Sequence, residues 1–281
     1  MKKPILQNDA FLADVFEQRL HPRQLSLWWL GQSGFLVQFD GHHVLIDPYL
    51  SDSLTKKYAA TNKPHDRMTE RVIDPARLDF IDVVTSSHNH TDHLDADTLL
   101  PLFNANPGLQ MIVPAANQAF VATRLNLDAT RFTGVTSGQS ITVNGFTFHG
   151  IPAAHNALDT DEQGRHVFMG YVIECGRWKI YHSGDTLRFD GLAEQLRPFN
   201  IDVALLPING DLPERRVAGN LDGLQAAQLA NDFGAKVVIP CHYDMFEFNT
   251  ASPHDFVQAC GRLRQHHKIL ENGERWSVAL M

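Results

Sequence analysis

The run Phe80-Ile81-Asp82-Val83-Val84-Thr85-Ser86-Ser87-His88-Asn89-His90-Thr91-Asp92-His93 joins a β-branched apolar segment to a burst of metal-ligand side chains. Phe80–Ser86 reads as a buried strand. On an extended chain His88 and His90 share one face, because side chains alternate with a period of two. A turn must then bring Asp92 and His93 round to a neighbouring point. That geometry suits two adjacent cation positions better than one. The plainer alternative is a polar loop in which Asp92 or Asp95 caps the helix expected near 96–103. Ligand-type residues packed this densely behind a strand favour the metal reading.

Outward from this run the chain alternates strands and helices. Upstream, residues 9–20 read as an amphipathic helix, with Phe11, Leu12, Val15, Phe16 and Leu20 on one face and Asp9 as its N-cap. Leu25–Leu30, Phe35–Phe39 and Val44–Ile46 read as strands, the last two joined by an Asp40-Gly41 hairpin turn. Residues 48–78 show no periodicity and read as a long irregular loop. Downstream come a strand at Met111–Val113, a helix at 114–125, strands near 140–151 and a polar loop at 154–166. A hairpin follows (Val167–Glu174, a turn at Cys175-Gly176, Trp178–His182), then a helix near 190–197, a strand at Val203–Leu206 and a loop at 207–220. A helix at 222–233, a strand at Lys236–Pro240, a helix at 253–265 and a C-terminal hairpin turning at Asn272-Gly273 complete the chain. Two packed sheets with helices outside are the α/β architecture implied. With no low-complexity linker and no repeat, residues 1–281 read as one domain with the 9–20 helix appended.

The composition narrows the function. The chain has 281 residues, 43% hydrophobic and 20% charged, and a net charge of −8. That balance disfavours nucleic-acid partners, and no window of about 18 apolar residues suggests a membrane span. Only 3 Cys are present, with no CxxC pair, which suits a reducing, cytoplasmic setting. The unusual number is 15 His.

His-x-His-x-Asp-His behind an apolar strand resembles the metallo-β-lactamase superfamily of binuclear metallohydrolases. The rest of that pattern is present in order: His155 in Ile151-Pro-Ala-Ala-His, Asp185 in Tyr181-His-Ser-Gly-Asp, and His242 in Val237-Val-Ile-Pro-Cys-His. The resemblance implies a four-layer αβ/βα sandwich. It assigns His88, His90 and His155 to one cation, Asp92, His93 and His242 to a second, and Asp185 to both. Zinc or manganese is the ion expected from an imidazole and carboxylate set without thiolate. The segments Leu27-Trp28-Trp29-Leu30-Gly31-Gln32-Ser33-Gly34-Phe35 and Leu45-Ile46-Asp47-Pro48-Tyr49-Leu50 look like the branch of ascorbate-6-phosphate lactonase and related hydrolases.

The activity implied is hydrolysis of a small, anionic substrate, a lactone or other ester favoured, by a hydroxide bridging two divalent ions, with Asp92 and Asp185 as the catalytic carboxylates. A phosphodiesterase of the same fold and a non-catalytic metal-binding regulatory protein are the alternatives. Arg215 and Arg216, with His65 and His166, are candidate substrate contacts, because they lie in loops flanking the ligand-bearing strands. A small molecule is the expected partner, and self-association into a homo-oligomer stays open. Cys241, Trp28 and Trp29 read as core, and His182 as a support for the ligand loop.

Overall fold

The computed structural model describes residues 1–215 and 217–278. Its first sheet is built from β1 (Leu25–Gly31), β2 (Gly34–Phe39), β3 (His42–Ile46), β4 (Val83–Thr85), β5 (Gln110–Pro114) and β6 (Phe132–Val135). The second uses β7 (Ser140–Val143), β8 (Phe146–Pro152), β9 (Met169–Cys175), β10 (Trp178–His182), β11 (Val203–Pro207) and β12 (Val237–Cys241), and β13 (Arg275–Val278) returns to the first. The spatial orders are β13-β1-β2-β3-β4-β5-β6 and β12-β11-β10-β9-β8-β7. Each sheet has an antiparallel region built from hairpins and a parallel region: β3 to β6 in the first sheet and β10 to β12 in the second.

Period-two alternation explains the layers. Leu25, Leu27, Trp29, Phe35, Val37, Val44, Ile46, Val83 and Ile112 face the second sheet and share a core with Tyr171, Ile173, Ile180 and Leu205. The intervening Trp28, Leu30, Leu36, Leu45, Val84, Met111 and Val113 face outward and are covered by helices. The covering helices are α1 (Asp9–Gln18), α3 (Ala96–Ala105) and α4 (Gln118–Leu125), with the short α2 (Ser53–Tyr58) nearby. On the far side α5 (Leu192–Leu196), α6 (Gly223–Phe233) and α7 (His254–Leu263) cover the second sheet. The result is the four-layer αβ/βα sandwich. Sheets buried on both faces carry near-continuous apolar strands, as in the fully buried β1.

Several expected boundaries shift for local reasons. β4 begins only at Val83: ahead of it Ile81 N–H donates to the Asn106 side chain, at Oδ1, at 2.9 Å, and Asp82 N–H to His43 O at 3.1 Å. The helix expected over 9–20 ends at Gln18, and Asn8 rather than Asp9 occupies its N-cap. Residues 48–78 are not wholly irregular, since they include α2 and a 3₁₀ turn at Pro75–Arg77. A further strand, β6, follows α4. Among the described residues the C-terminal segment forms no local hairpin. β13 instead pairs antiparallel with β1, Leu27 opposite Trp276. The Asp40-Gly41 turn stands as read, with φ of 50° and 80° matching a primed hairpin turn.

Candidate metal centre

The strand ends deliver the ligand-type side chains to one place. His88 lies just past β4, His155 past β8, Asp185 past β10 and His242 directly after β12. Behind β4 the chain bends, then makes a tight turn in which His93 N–H donates to His90 O at 3.1 Å. That turn brings Asp92 and His93 round beside His88 and His90.

All the residues singled out for the two cation positions converge. His88, His90 and His155 form one triad of potential donors, and Asp92, His93 and His242 form a second; within each triad the donor atoms lie within 4.8 Å of one another. Asp185 sits between them. Its Oδ2 is 3.6 Å from His155 Nε2 and 3.2 Å from His242 Nε2, and its Oδ1 is 3.3 Å from His93 Nε2. His90 Nδ1 and His155 Nε2 approach to 3.1 Å. His155 Nδ1 donates to Gly219 O at 2.8 Å, so the lone pair of its Nε2 is directed into the cluster.

The donor set fits divalent cations. His88 Nε2, His93 Nε2 and Asp185 Oδ1 are buried without a hydrogen-bond partner, a costly arrangement unless something accepts their lone pairs. Burial and neighbouring imidazoles push His88 well below its usual range, and burial takes His90 down to about 4. Burial would also lower His93 and His242, but the Asp185 and Asp92 carboxylates outweigh it, raising His93 and lifting His242 to about 9. Burial opposes ionisation of Asp92 and Asp185 in turn, yet the facing histidines hold both well below the usual carboxylate range. The cluster thus attracts positive charge to its centre, which protons on His93 and His242 supply when no cation does.

Residues 42–243 match the family described as "Beta-lactamase superfamily domain". The chain belongs to the metallo-β-lactamase superfamily. A protein of Alkaliphilus metalliredigens named "UPF0173 metal-dependent hydrolase" is 30% identical over 243 residues, covering 83% of this chain and 92% of its own length. One of the same name from Hyperthermus butylicus is 27% identical, covering 86% of this chain and 93% of its own. Among solved structures, Igni18, a metallo hydrolase of Ignicoccus hospitalis, superposes with a TM-score of 0.66 at 23% identity, over 92% of this chain and 100% of its own.

Around the donors of this superfamily member lies a support shell that sequence reading assigned no role. Asp47, at the end of β3 and fully buried, accepts from His93 Nδ1 at 2.8 Å and from the backbone and hydroxyl of Ser87. It fixes the tautomer of His93, leaving Nε2 to face the cluster. Gln32, in the turn between β1 and β2, donates from Nε2 to Asp92 Oδ2 at 2.8 Å. The usable signal was an acidic residue ending an apolar strand in Leu45-Ile46-Asp47, and a polar residue inside a Gly-x-x-Gly turn. Gln32, Asp47 and His242 all have positive φ, of 49°, 39° and 63°. Such backbone strain in non-glycine residues persists where surrounding contacts impose it, and gathers at functional sites. His182 is the support expected of it: its Nε2 donates to Ser33 O at 2.9 Å, and its Nδ1 accepts from Gly184 N, beside Asp185. Cys241 is buried in the core, as read.

A cavity of about 330 Å³ opens over the cluster. Its floor includes His90, Asp92, His155, Asp185 and His242, and its walls include Lys57, Tyr58, His65, Arg124 and Asn220. His65 therefore reaches the site. Its ring stacks on Tyr58, with centroids 4.5 Å apart, and its Nδ1 donates to Lys63 O. The other substrate candidates are placed elsewhere. His166 bridges to Thr160 within its own loop and does not line the cavity. Arg215 turns its guanidinium to Asn209 O, Asn249 Oδ1 and Thr250 O, at 2.5, 3.1 and 2.8 Å, bracing two loops instead of facing the cavity. Arg216 lies outside the described residues. Arg124, at the end of α4, lines the cavity and donates to Asn89 O and Leu94 O, tying two points of the ligand-bearing turn together.

Proposed function

We propose that this chain is a hydrolase holding two divalent cations, zinc or manganese, that cleaves a small anionic substrate, with a lactone or other ester as the favoured bond. The observation that carries this reading is the pair of donor triads with Asp185 between them. Relatives named as metal-dependent hydrolases support it. When bound, such ions supply Lewis acidity toward a substrate oxygen and make water a nucleophile near neutral pH. The chain contributes the rest. Asp185 links the triads. Asp92, partly exposed at the cavity floor, is placed to exchange a proton with the reacting centre. Lys57 and Arg124 give the walls positive charge, which attracts an anion and complements charge developing during cleavage. A cavity of about 330 Å³ suits a small molecule, not a polymer. Among the described residues no helix is long and apolar enough to cross a membrane. Cys175, Cys241 and Cys260 are free and buried, which supports a cytoplasmic setting.

The test is elemental analysis after equilibration with zinc or manganese, followed by a hydrolysis screen on lactones, esters and phosphodiesters. About two ions per chain and turnover of an anionic lactone or ester support the reading. Preferred turnover of a phosphodiester would reassign the bond. A single ion under excess metal would overturn the two-cation reading, and no turnover of any class would leave a metal-binding regulator.

A further inference from the structure

The turn between β1 and β2 is held far more firmly than a hairpin connection requires. Gln32 O accepts from His242 N at 2.9 Å and from Trp29 Nε1 at 3.0 Å. Ser33 O accepts from His182 Nε2 across the sandwich at 2.9 Å. Gly31, at φ 94°, holds a backbone conformation that residues with a side chain rarely adopt. These contacts fix the backbone of Gln32 at φ 49° and aim its side chain, 1% exposed, at the cation cluster. There Nε2 donates to Asp92 Oδ2 at 2.8 Å and lies 3.0 Å from His242 Nε2. Both contacts go to the second triad. Neither goes to His88, His90 or His155.

We propose that Gln32 is a positioning residue for the second cation position, holding Asp92 and His242 at the spacing a cation there requires while leaving the first position untouched. The inference rests on the two-cation reading above. Its physical basis is selective satisfaction. The oxygen it holds, Asp92 Oδ2, is also the one that faces His93 Nε2 and His242 Nε2, at 3.7 and 3.5 Å; a carboxylate oxygen has two lone pairs, so a fixed amide donor on one locks its orientation and leaves the other for a cation. His242 is held at its backbone N–H by the Gln32 carbonyl, and its ring lies beside the Gln32 amide, whose hydrogen bond goes to Asp92 Oδ2. An amide is well suited to this place. It offers two N–H groups in a plane, carries no charge to compete with a cation, and does not ionise.

The experiment is a zinc titration of the metal-free protein against a chromophoric chelator, for wild type, Gln32→Met and Gln32→Ala, with thermal melting of each metal-free form. Methionine keeps the bulk of the side chain without its donors. Expected are two binding steps in wild type. In both variants the first step is retained within about threefold and the second is weakened by about 10–100-fold, with the metal-free melting temperature within about 2 °C of wild type. A second step unchanged in both variants overturns the assignment while leaving the two-cation reading intact. Equal weakening of both steps, or failure of both variants to fold, assigns Gln32 a general structural role and also overturns it. Fewer than two steps in wild type removes the reading beneath it, and the assignment with it.

Discussion

Replacing Asp47 with asparagine keeps the shape of the side chain and removes its charge, at a point where every oxygen lone pair is in use. Asp47 Oδ1 accepts from Thr85 Oγ1 at 2.8 Å and from Ser87 N at 3.1 Å, while Oδ2 accepts from His93 Nδ1 at 2.8 Å and also takes the Ser87 hydroxyl. An asparagine offers one carbonyl oxygen and one NH₂. With the oxygen kept on His93 and Ser87, the NH₂ turns toward Thr85, whose hydroxyl can rotate to accept. Two charge-assisted bonds then become neutral, each losing about 1 kcal/mol, and an amide proton or the Ser87 N–H goes unsatisfied at about 1–3 kcal/mol. A neutral amide is cheaper to bury than a carboxylate, which trims the loss to about 2–4 kcal/mol. Urea unfolding of the metal-free protein at pH 7 reads this as a lower midpoint with an unchanged slope. The same variant should weaken zinc at the position served by His93 by about 10–100-fold, because its imidazole loses the charge that orients it. A stability change below about 0.5 kcal/mol together with unaltered zinc affinity would refute the argument that this carboxylate holds the ligand loop.

Asp185→Ala should lower activity roughly 10²-fold or more while circular dichroism stays native, since the core rests on apolar burial elsewhere; activity within a few-fold of wild type would remove Asp185 from between the triads. Arg215→Ala should destabilise by about 1–3 kcal/mol and change kcat/KM for anionic and neutral substrates alike, because its donors serve Asn209, Asn249 and Thr250; a loss confined to the anionic substrate would return the guanidinium to substrate binding. Burial first, and Arg19 second, lower His43 to about 4, against the partial pull of Asp82. Unfolded, the same ring titrates near ~6.5, so between those values only the unfolded chain takes the proton, and stability falls with falling pH by up to about 3 kcal/mol. His43→Phe should remove that component, so its urea midpoint relative to wild type should rise as pH drops from 7 to 4; a constant difference would show that His43 does not titrate on unfolding. Cys241→Ser should keep the metal content at a cost of about 1–3 kcal/mol; loss of one metal equivalent would make the thiol a ligand.

The cation cluster was legible because its members advertise themselves in two ways. His88 to His93 are crowded together, and His155, Asp185 and His242 each follow closely on an apolar strand. Asp47 and Gln32 were harder to see as participants. Each contacts residues far along the chain, His93 and Asp92 respectively, and nothing in their own neighbourhood says which way the strand end points. The strands of the sandwich were found where apolar runs are long, as in β1 and β9. β6, with Thr133 and Gly134 at its centre, lacks such a run, and the edge strand β13 has as its ladder partner β1, far away in the sequence. Arg215 shows a different limit. Residue type reports a charge, whereas its direction depends on which carbonyls the fold brings within reach, here those of Asn209 and Thr250.

The order in which the cluster is assembled along the chain carries a consequence for biosynthesis. Its first donors arrive at residue 88 and its last at 242, and that last donor is seated only when β12 has joined β11 and His242 N–H has found Gln32 O near the beginning of the chain. A ribosome-bound fragment lacking β12 can present the His88–His93 segment but cannot complete the second triad. Choice among competing cations at that triad is therefore deferred until β12 has been made. A cation captured then would fasten the first sheet to the second, tying late-made chain to early-made chain, so the step that equips the site also seals the sandwich.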